Sequence, residues 1–545
     1  MSIRARLLND LRRRDRGWLF VLFGAVCLLY VPFLGSPFFL DDLSFFLSGA
    51  ADRYAHSIFG FDLRWLPHAS LGWTAVLSGT AAPQFFRLGN LVLHAANVML
   101  VFQLLRQTAA AVQQDRNASS IVWGAGFGAL IFALHPVAVY AAGYVVERSI
   151  LMATFFALLM LLAYLRGLLT GQTRWLALAA LAYFLAVFSK EHSVMMPAVL
   201  AALTVLLHPQ IKSEKRALRA TWTAFFAIGI LIVLRAKGVF GTPYEPMAAA
   251  LFQQEGIAES TPVLHLLSVL TQAGLFFKYL LLWLIPDPVW MSVDMRELLV
   301  PSLGAWQGWL GAAGFVLYGV VGVRLLLRGG RAGLAGFALL YPWLQFMLEF
   351  STIRVQEPFV LYRSYLWMPG VLLFIPLLLA KWPGKGTKFA LGAAVILLGA
   401  LAANRLWVFA DDYRLWNDAA RLLPDERVAG ASRIFYNRGQ AEAKAERWDE
   451  AAADFQRVAA QSPQLAPVRY ALGTAYLHQE RFQDAVAQFD AGIAINPNDG
   501  RLYFGKGQAL LRLHAHAQAR QQIIKACDLG VAGACMVAGW MQGQQ

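Results

Sequence analysis

The sequence predicts an all-α protein in which a membrane domain of many helices is followed by a domain of repeated helices. The first observation behind this prediction is composition, since 58% of the 545 residues are hydrophobic. Only 15% are charged, whereas a typical soluble protein carries about 25% charged residues. The second observation is a change near residue 411 to a soluble composition with a 34-residue period.

Apolar runs fill the first part of the chain. A run of about 20 apolar residues is long enough to cross the hydrocarbon core of a membrane as a helix. We therefore predict a polytopic membrane domain over residues 1–410. Its apolar runs lie near 18–35, 88–105, 119–134, 149–165, 175–189, 193–207, 218–234, 264–285, 303–323, 332–350, 364–380 and 389–409.

The basic residues gather in short connections on one side of these runs, with six Arg in residues 1–17 alone. Since Lys and Arg are retained on the cytoplasmic side, this bias orients the chain and explains its net charge of +14 without nucleic acid. All of the basic connections lie on the cytoplasmic side only if the segment 264–285 does not cross the membrane completely. This segment contains Lys278. We expect eleven crossings, a re-entrant or interfacial helix at 264–285, and residues 411–545 in the periplasm of a bacterial inner membrane.

Four sets of residues recur every 34 positions in the second domain. This is the tetratricopeptide signature, in which small residues let paired helices approach and aromatic side chains fill the gaps between them. We predict repeats near 432–465, 466–499 and 500–533, which present a docking surface for a protein acceptor or partner. The sets are Gly439, Gly473 and Gly507; Ala451, Ala485 and Ala519; Tyr436, Tyr470 and Phe504; and Phe455, Phe489 and Ile523.

Three cysteines are too few for a disulfide scaffold. Cys527 and Cys535 lie eight residues apart near the C-terminus, with Gly530 and Gly533 between them to allow a turn. A periplasmic location favours a disulfide. Two packed free thiols are the alternative, and the sequence leaves both open.

Polar residues on the predicted outer side each adjoin an apolar run. A charge near the bilayer costs a few kcal/mol unless it is compensated, so their occurrence on one face predicts a functional site. Asp287 and Asp294 form a further cluster on this side, although the simplest interpretation of these two is as solvated loop carboxylates. The other clusters are Asp41 and Asp42; His135, Glu147 and Arg148; Lys190, Glu191 and His192; and Glu357, Tyr362 and Arg363.

Each cluster also has a structural interpretation. Lys190 and Glu191 are compatible with an ion pair at a helix end, and His135 with the start of a turn before Pro136. Tyr362 is compatible with an aromatic belt at the membrane interface. The site hypothesis rests on the clusters sharing one face, not on any one of them.

The segments "FFLDD", "HPVAVYAAGYVVERS", "SKEHSVMMP" and "EPFVLYRSYLW" resemble a family of multispanning glycosyltransferases with C-terminal tetratricopeptide repeats. Its eukaryotic members are the transmembrane-and-TPR protein O-mannosyltransferases, and bacterial relatives share the plan. The resemblance covers nearly the whole chain, with one departure at Tyr140, where the family often has an acidic residue. It implies the C-type glycosyltransferase fold for the membrane domain and a polyprenyl-phosphate sugar donor used from the outer side.

The outer residues suit such a transfer. Phosphate is already a good leaving group, so one carboxylate that accepts the acceptor's proton is the main requirement. Asp41 or Asp42 supplies it, and the resemblance favours Asp41, the first acid of the pair. Lys190, Arg363 and Arg148 are the candidates for binding the donor phosphate.

The remaining outer residues are assigned to substrate or structural support: His135, Glu147, Glu191, His192, Glu357 and Tyr362. The sequence indicates no cofactor with certainty. A divalent metal ion is compatible with the carboxylates on this face, although no spacing of ligands indicates one.

The leading functional hypothesis is a membrane glycosyltransferase that acts on a protein or a cell-surface glycan. One alternative is a ligase that transfers a whole oligosaccharide from a polyprenyl-pyrophosphate carrier. Another is a non-catalytic membrane scaffold whose repeats recruit envelope proteins. The sequence does not specify the sugar, the acceptor, the length of the carrier or the oligomeric state.

Overall fold

The computed structural model describes residues 3–113, 118–235, 261–354, 357–426, 428 and 430–543. Nearly all regular structure within these residues is helical, so the predicted all-α fold is confirmed. The chain divides into two compact units. The membrane unit comprises residues 1–291 with 297–411, and the repeat unit comprises 292–296 with 412–545.

The membrane unit contains sixteen α-helices among its described residues, and most of them coincide with the predicted apolar runs. They are α1 (Ile3–Tyr30), α2 (Asp41–Leu47), α3 (Ala50–His56), α4 (Trp65–Ser78), α5 (Pro83–Gln113), α6 (Ala118–Leu134), α7 (Pro136–Ala142), α8 (Arg148–Thr170), α9 (Thr173–Ser189), α10 (Met196–Leu206), α11 (Lys215–Arg235), α12 (Thr261–Leu284), α13 (Trp306–Leu327), α14 (Gly330–Phe346), α15 (Phe374–Lys381) and α16 (Lys385–Phe409).

Seven helices in the described part of the chain are long and apolar enough to cross a membrane: α1, α5, α8, α11, α12, α13 and α16. The number is eight if α6 and α7, which meet at an angle of 62°, form one span. Shorter apolar helices cover 173–189, 191–206 and 368–381. A multi-pass membrane domain is therefore supported, while the number of eleven crossings stays a prediction.

The run at 364–380 is not one helix. It is divided among the 3₁₀ segments Leu361–Tyr365 and Met368–Leu373 and the short helix α15. Pro369 and Pro376 explain the interruption, because proline lacks the N–H that an α-helix needs from each interior residue.

The expectation that 264–285 fails to cross is not supported. Helix α12 is continuous over 24 residues, which is long enough for a full crossing. The expectation came from placing every basic connection on the cytoplasmic side, with Lys278 as a supporting feature. The ammonium of Lys278 pairs with Glu297 and lies 5.0 Å from the ring centre of Phe359. This compensation reduces the penalty that a lone cation would impose.

The repeat unit consists of helices in antiparallel pairs, as the 34-residue period predicts. Its helices are α17 (Asp412–Arg421), α18 (Ala431–Lys444), α19 (Trp448–Gln461), α20 (Ala466–His478), α21 (Phe482–Ile495), α22 (Gly500–Arg512), α23 (His516–Asp528) and α24 (Ala532–Gly543).

The recurring glycines mark the closest approach within each helix pair. A Cβ on Gly439 would lie 2.7 Å from the Phe455 ring, and one on Gly473 would lie 2.8 Å from the Phe489 ring. At Gly507 the neighbour is Ile523, at 2.6 Å. The predicted roles of the small and the large residues are thus confirmed.

Asp294 differs from its prediction. Its side chain is 2% exposed and accepts hydrogen bonds from Arg296 Nη2 at 2.9 Å and Arg433 Nε at 2.8 Å, all within the repeat unit. Burial alone would raise the pKa of Asp294, but these two guanidinium groups hold it below its usual value. Asp294 is therefore a buried ion-pair member and not a solvated carboxylate.

Cys527 and Cys535 form a disulfide in the repeat unit. The bond joins the end of α23 to α24, the last helix described. Cys27 in α1 is a free thiol.

We predict that Gly473→Ala destabilises the second repeat. The added methyl group overpacks against Phe489, and such overpacking costs about 1–3 kcal/mol. Hydrogen exchange of α20 and α21 in the full-length protein should show a lower free energy of local opening. Gly539→Ala is the matched control, because no atom lies within 4 Å of its added Cβ. Equal exchange in the two variants would contradict the close packing.

We also predict that the denatured, unreduced protein reacts with one equivalent of a thiol reagent, at Cys27 only. After reduction it should react with three equivalents, since the chain has three cysteines. Mass spectrometry of the labelled peptides measures both numbers. Labelling of Cys527 and Cys535 without reduction would show that the disulfide does not form.

Candidate active site at the end of the α8–α9 hairpin

A buried carboxylate, Asp42, lies in the first turn of α2 and joins this turn to the segment before α8. Its side chain is 0% exposed. It accepts hydrogen bonds from the backbone N–H groups of Val146 at 2.8 Å and Val145 at 3.4 Å. Burial raises the pKa of Asp42 to about 7, although these hydrogen bonds and the charge of Arg87 oppose the shift. Asp42 is thus inaccessible to an acceptor and fixes the backbone beside the site.

Asp41 has the opposite environment. Its side chain is exposed, and its backbone N–H donates to Tyr144 Oη at 2.8 Å. The preceding residue, Leu40, has φ 51° and ψ −126°, a conformation that is unfavourable for a residue with a side chain. The surrounding contacts maintain this strained turn, which places the two adjacent carboxylates in different environments.

Arg87 of α5 donates hydrogen bonds to the loop that precedes Leu40. Its Nη1 donates to the carbonyl oxygen of Ser36 at 2.9 Å, and its Nη2 donates to that of Pro37 at 2.7 Å. The loop therefore has two anchors, Arg87 and Asp42, on either side of its strained residue.

Lys190 and Glu147 form a buried ion pair at the ends of α9 and α8. Lys190 Nζ lies 2.6 Å from Glu147 Oε2 and 3.4 Å from Ser149 Oγ. It also lies 4.5 Å from the ring centre of Tyr362, a distance typical of a cation–π contact. Tyr362 in turn lies 6.4 Å from the ring of Tyr144, the partner of Asp41. The backbone of Asp41 and the ammonium of Lys190 thus lie at the two ends of a row formed by Tyr144 and Tyr362.

A second cluster surrounds Glu349, which is 1% exposed. Its Oε2 lies 2.8 Å from Arg354 Nε and 3.2 Å from Arg363 Nη1, and its Oε1 lies 3.3 Å from His192 Nε2. Burial alone would raise the pKa of Glu349, but Arg354 and Arg363 hold it well below its usual value. Arg363 also donates to the carbonyl oxygen of Glu357 at 3.4 Å.

Glu191 faces a third cation, Arg64, whose Nε donates to Glu191 Oε2 at 2.9 Å. The side chain of Arg64 is one-third exposed, and its backbone has φ 61°. This ion pair joins the loop before α4, which contains Arg64, to the segment after α9, which contains Glu191. It gives Glu191 a structural role at the edge of the site.

The structure indicates a structural role for Arg148. Its guanidinium donates to Asn90 Oδ1 at 2.9 Å, to the Phe86 carbonyl oxygen at 2.8 Å, and to Ser70 and Thr74 at 3.0 Å each. Because these neutral acceptors occupy all three of its nitrogens, we do not propose it as a phosphate ligand. It fixes the start of α8 against α4 and α5.

His135 caps a helix. Its Nδ1 accepts the backbone N–H of Val137 at 3.2 Å, and its ring stacks on Trp283 with 4.4 Å between ring centres. The bend between α6 and α7 begins here. This geometry matches the structural interpretation of a turn before Pro136.

The structure therefore brings together segments that lie far apart in sequence, namely those around Asp41, Glu147, Lys190 and Arg363. Sequence reasoning missed Glu349, Arg354, Tyr144, Arg64 and Arg87. Glu349 carried a signal, because it is an acidic residue inside the apolar run at 332–350, and such residues are functional candidates.

No group of three or more His, Cys, Asp or Glu in the described part of the chain is placed to hold a metal ion. Glu147 faces Lys190, Glu191 faces Arg64, and Glu349 faces Arg354 and Arg363, while Asp42 accepts backbone N–H groups. We therefore derive no step through a metal ion.

The comparisons with known proteins concern mainly the repeats. Residues 442–504 match the tetratricopeptide repeat family, as the period predicted. No curated protein matches the chain. Among solved structures, the tetratricopeptide repeat domain of Arabidopsis OM64 has 19% identity and a TM-score of 0.21 over 21% of this chain and 97% of that one. MamA from AMB-1 has 21% identity and a TM-score of 0.21 over 24% and 78% of the two chains.

A longer similarity involves the archaeal oligosaccharyltransferase AglB from Archaeoglobus fulgidus, solved with an inhibitory peptide and a dolichol-phosphate. The identity is 14% and the TM-score 0.38, over 80% of this chain and 59% of that one. At these TM-scores none of the three similarities establishes a shared fold for the whole chain.

We predict that Asp42 makes the stability of the protein depend on pH. Its pKa is about 7 in the folded chain and about 4 in an unfolded one. The folded state therefore binds more protons between these values, and the free energy of unfolding falls as the pH rises from 4 to 7. Asp42→Asn removes this contribution. The Tm of the wild type minus the Tm of the variant should therefore be smaller at pH 8 than at pH 5.

The control for this measurement is Asp52→Asn. Asp52 is an exposed carboxylate in the neighbouring helix α3, with 84% of its side chain accessible. Because Asp52 lies 3.6 Å from His56 Nδ1, the control is made in a His56→Gln background, where it should differ from its parent by the same Tm at both pH values. A pH-independent difference for Asp42→Asn would contradict the raised pKa.

Proposed function

We propose that this protein is a membrane glycosyltransferase that moves a sugar from a polyprenyl-phosphate donor to a hydroxyl group. The acceptor is a protein or a cell-surface glycan on the outer side of the bacterial inner membrane. One observation carries the proposal. The exposed residue Asp41 donates its backbone N–H to Tyr144 Oη, the Tyr144 ring lies beside the Tyr362 ring, and the buried ammonium of Lys190 lies over the Tyr362 ring.

In this proposal Asp41 is the catalytic base. The acceptor hydroxyl oxygen attacks the anomeric carbon of the sugar, and its proton passes to the Asp41 carboxylate. The bond between the anomeric carbon and the phosphate oxygen breaks, and polyprenyl phosphate leaves with the bonding electrons. The exposure of Asp41 supports this role over Asp42, which is buried and bonded to backbone N–H groups.

Lys190 is the proposed phosphate ligand on the other side of Tyr362. One N–H of its ammonium points to Glu147 and a second to Ser149. An ammonium has three donors, so one remains for a phosphate oxygen on the Tyr362 side. Arg363 belongs to the same 3₁₀ segment as Tyr362 and is the second proposed ligand, oriented by Glu349.

The remaining residues of the site have positioning roles in the proposal. Glu147 orients Lys190, Glu349 orients Arg363, and Asp42 fixes the strained loop that carries Asp41. The site is at a membrane interface because its residues lie at the ends of α8 and α9, where the phosphate of a polyprenyl donor would lie. The repeats are proposed to recruit the protein acceptor.

Asp41→Asn should lower transfer about 100-fold or more, since a positioned general base contributes about 10²–10⁴ in rate. The variant keeps the shape of the side chain, so expression and donor binding should be unchanged. Mass spectrometry of outer-face glycoproteins and glycans in a deletion strain carrying each variant measures transfer. Lys190→Gln should instead weaken the binding of a polyprenyl-phosphate sugar to the purified protein.

Asp52→Asn again serves as the control, because it removes an exposed carboxylate near the site without touching Asp41. It should retain full modification. A scaffold protein would tolerate Asp41→Asn and Lys190→Gln alike. Normal modification in both variants would therefore rule out the proposed site.

A further inference from the structure

Two arginines flank an indole ring at the other end of the α8–α9 hairpin. Arg166 lies near the end of α8, with its Cζ 5.0 Å from the ring centre of Trp175. Arg174 lies at the start of α9, with its Cζ 5.6 Å from the same ring. Both distances are typical of cation–π contacts, which orient a guanidinium group without neutralising it.

Neutral amides orient both guanidinium groups. Arg166 Nε donates to Gln107 Oε1 at 3.3 Å, and Arg174 Nε donates to Gln172 Oε1 at 3.0 Å. The indole N–H of Trp175 donates to the same Gln172 oxygen at 3.2 Å. Both arginines are exposed, and within the described ranges neither forms an ion pair. Their charges therefore remain available to an anion, unlike that of Arg64 in the candidate active site.

A neighbouring loop adds a lysine. The backbone N–H of Lys212 donates to the Leu168 carbonyl oxygen at 2.7 Å, and Ser213 Oγ donates to that of Gly167 at 2.7 Å. The loop can lie this close to the hairpin turn because residue 171 is glycine. Gly171 has φ 73°, and a Cβ at this position would lie 2.9 Å from the Lys212 carbonyl oxygen. The loop is thus packed against the end of α8, and the lysine side chain is exposed beside it.

The hairpin separates this cluster from the candidate active site by the thickness of a membrane. Arg148 and Arg166 are 18 residues apart on α8, which corresponds to about 27 Å of helix. Helix α9 has 17 residues, or about 25 Å, between Arg174 at its start and Lys190 after its end. The hydrocarbon core of a bilayer is about 30 Å thick. The two clusters therefore lie near opposite interfaces.

We propose that Arg166, Arg174 and Trp175, with Lys212, form a binding site for the headgroup of an anionic phospholipid. Guanidinium groups bind phosphate oxygens through two parallel hydrogen bonds, and tryptophan favours the membrane interface. Basic pockets at the ends of membrane helices bind anionic headgroups in this way. The acyl chains would lie along α9, where Leu181 is 55% exposed.

The test uses the purified full-length protein in neutral detergent, titrated with phosphatidylglycerol or with phosphatidylcholine. Native mass spectrometry counts the bound lipids. The wild type should bind phosphatidylglycerol more tightly than phosphatidylcholine. Each Lys or Arg near the lipid surface contributes about 1 kcal/mol, so Arg166→Gln with Arg174→Gln should weaken phosphatidylglycerol binding about 30-fold.

The matched control is Arg324→Gln with Arg328→Gln. These two exposed arginines lie at the end of α13, outside the cluster. The control variant should bind phosphatidylglycerol as the wild type does. The double variant Arg166→Lys with Arg174→Lys keeps the charge but loses the bidentate hydrogen bonding, so it should bind phosphatidylglycerol less tightly than the wild type and more tightly than the double Gln variant, which separates charge from any folding defect.

Three outcomes would overturn the proposal. One is unchanged phosphatidylglycerol binding in the double Gln variant, and another is an equal loss in the control. The third concerns the source of the phosphate. If millimolar inorganic phosphate displaces phosphatidylglycerol from the wild type, the site recognises a free anion and not a lipid.

Discussion

The hydrogen bonds from Val145 and Val146 to the buried carboxylate of Asp42 are the constraint on which the candidate site depends. They join the first turn of α2 to the segment before α8, two segments about one hundred residues apart in the sequence. Burying a carboxylate is costly unless its oxygens are hydrogen-bonded, so this contact specifies one arrangement of the two segments. The position of Asp41 and the direction of Glu147 both follow from it.

Around that anchor, the charges of the site are arranged in pairs. Lys190 faces Glu147, Arg64 faces Glu191, and Arg354 and Arg363 share Glu349. Breaking such a buried pair leaves an uncompensated charge and is strongly destabilising. The network therefore favours a rigid arrangement of the side chains. Rigidity of this kind suits a site that must hold two substrates in a fixed geometry.

The sequence was most informative where the determinants are local or periodic. The 34-residue period predicted the helix pairs and the contact of Gly473 with Phe489, because every repeat imposes the same packing. The apolar runs predicted most of the membrane helices, since length and composition alone decide whether a helix can lie in lipid. The division of the run at 364–380 into short segments was not predicted, because the effect of its prolines was not considered.

The sequence was least informative where charges pair across long distances. Asp294 was expected to be solvated, because nothing nearby in sequence reveals that Arg433 would bond to it. The segment that contains Lys278 was expected not to cross fully, mainly because of where the basic connections lie, and the ion pair of Lys278 with Glu297 was not foreseen. In the candidate site, the contacts between the segments were not foreseen from the sequence. The neutral acceptors that occupy the guanidinium of Arg148 lie on α4 and α5. The packing of these two helices against α8 cannot be read from any local sequence pattern.

The length of the α8–α9 hairpin has a consequence for the surrounding membrane. Polar clusters at both ends fix the two interfaces that the hairpin must meet, and α9 is about 25 Å long. A hydrophobic segment shorter than the bilayer core thins the membrane locally or recruits lipids that match it. A hairpin of this length favours a thinner bilayer around it, and under the proposed function a polyprenyl phosphate would reach the candidate site most easily where the bilayer is thinned.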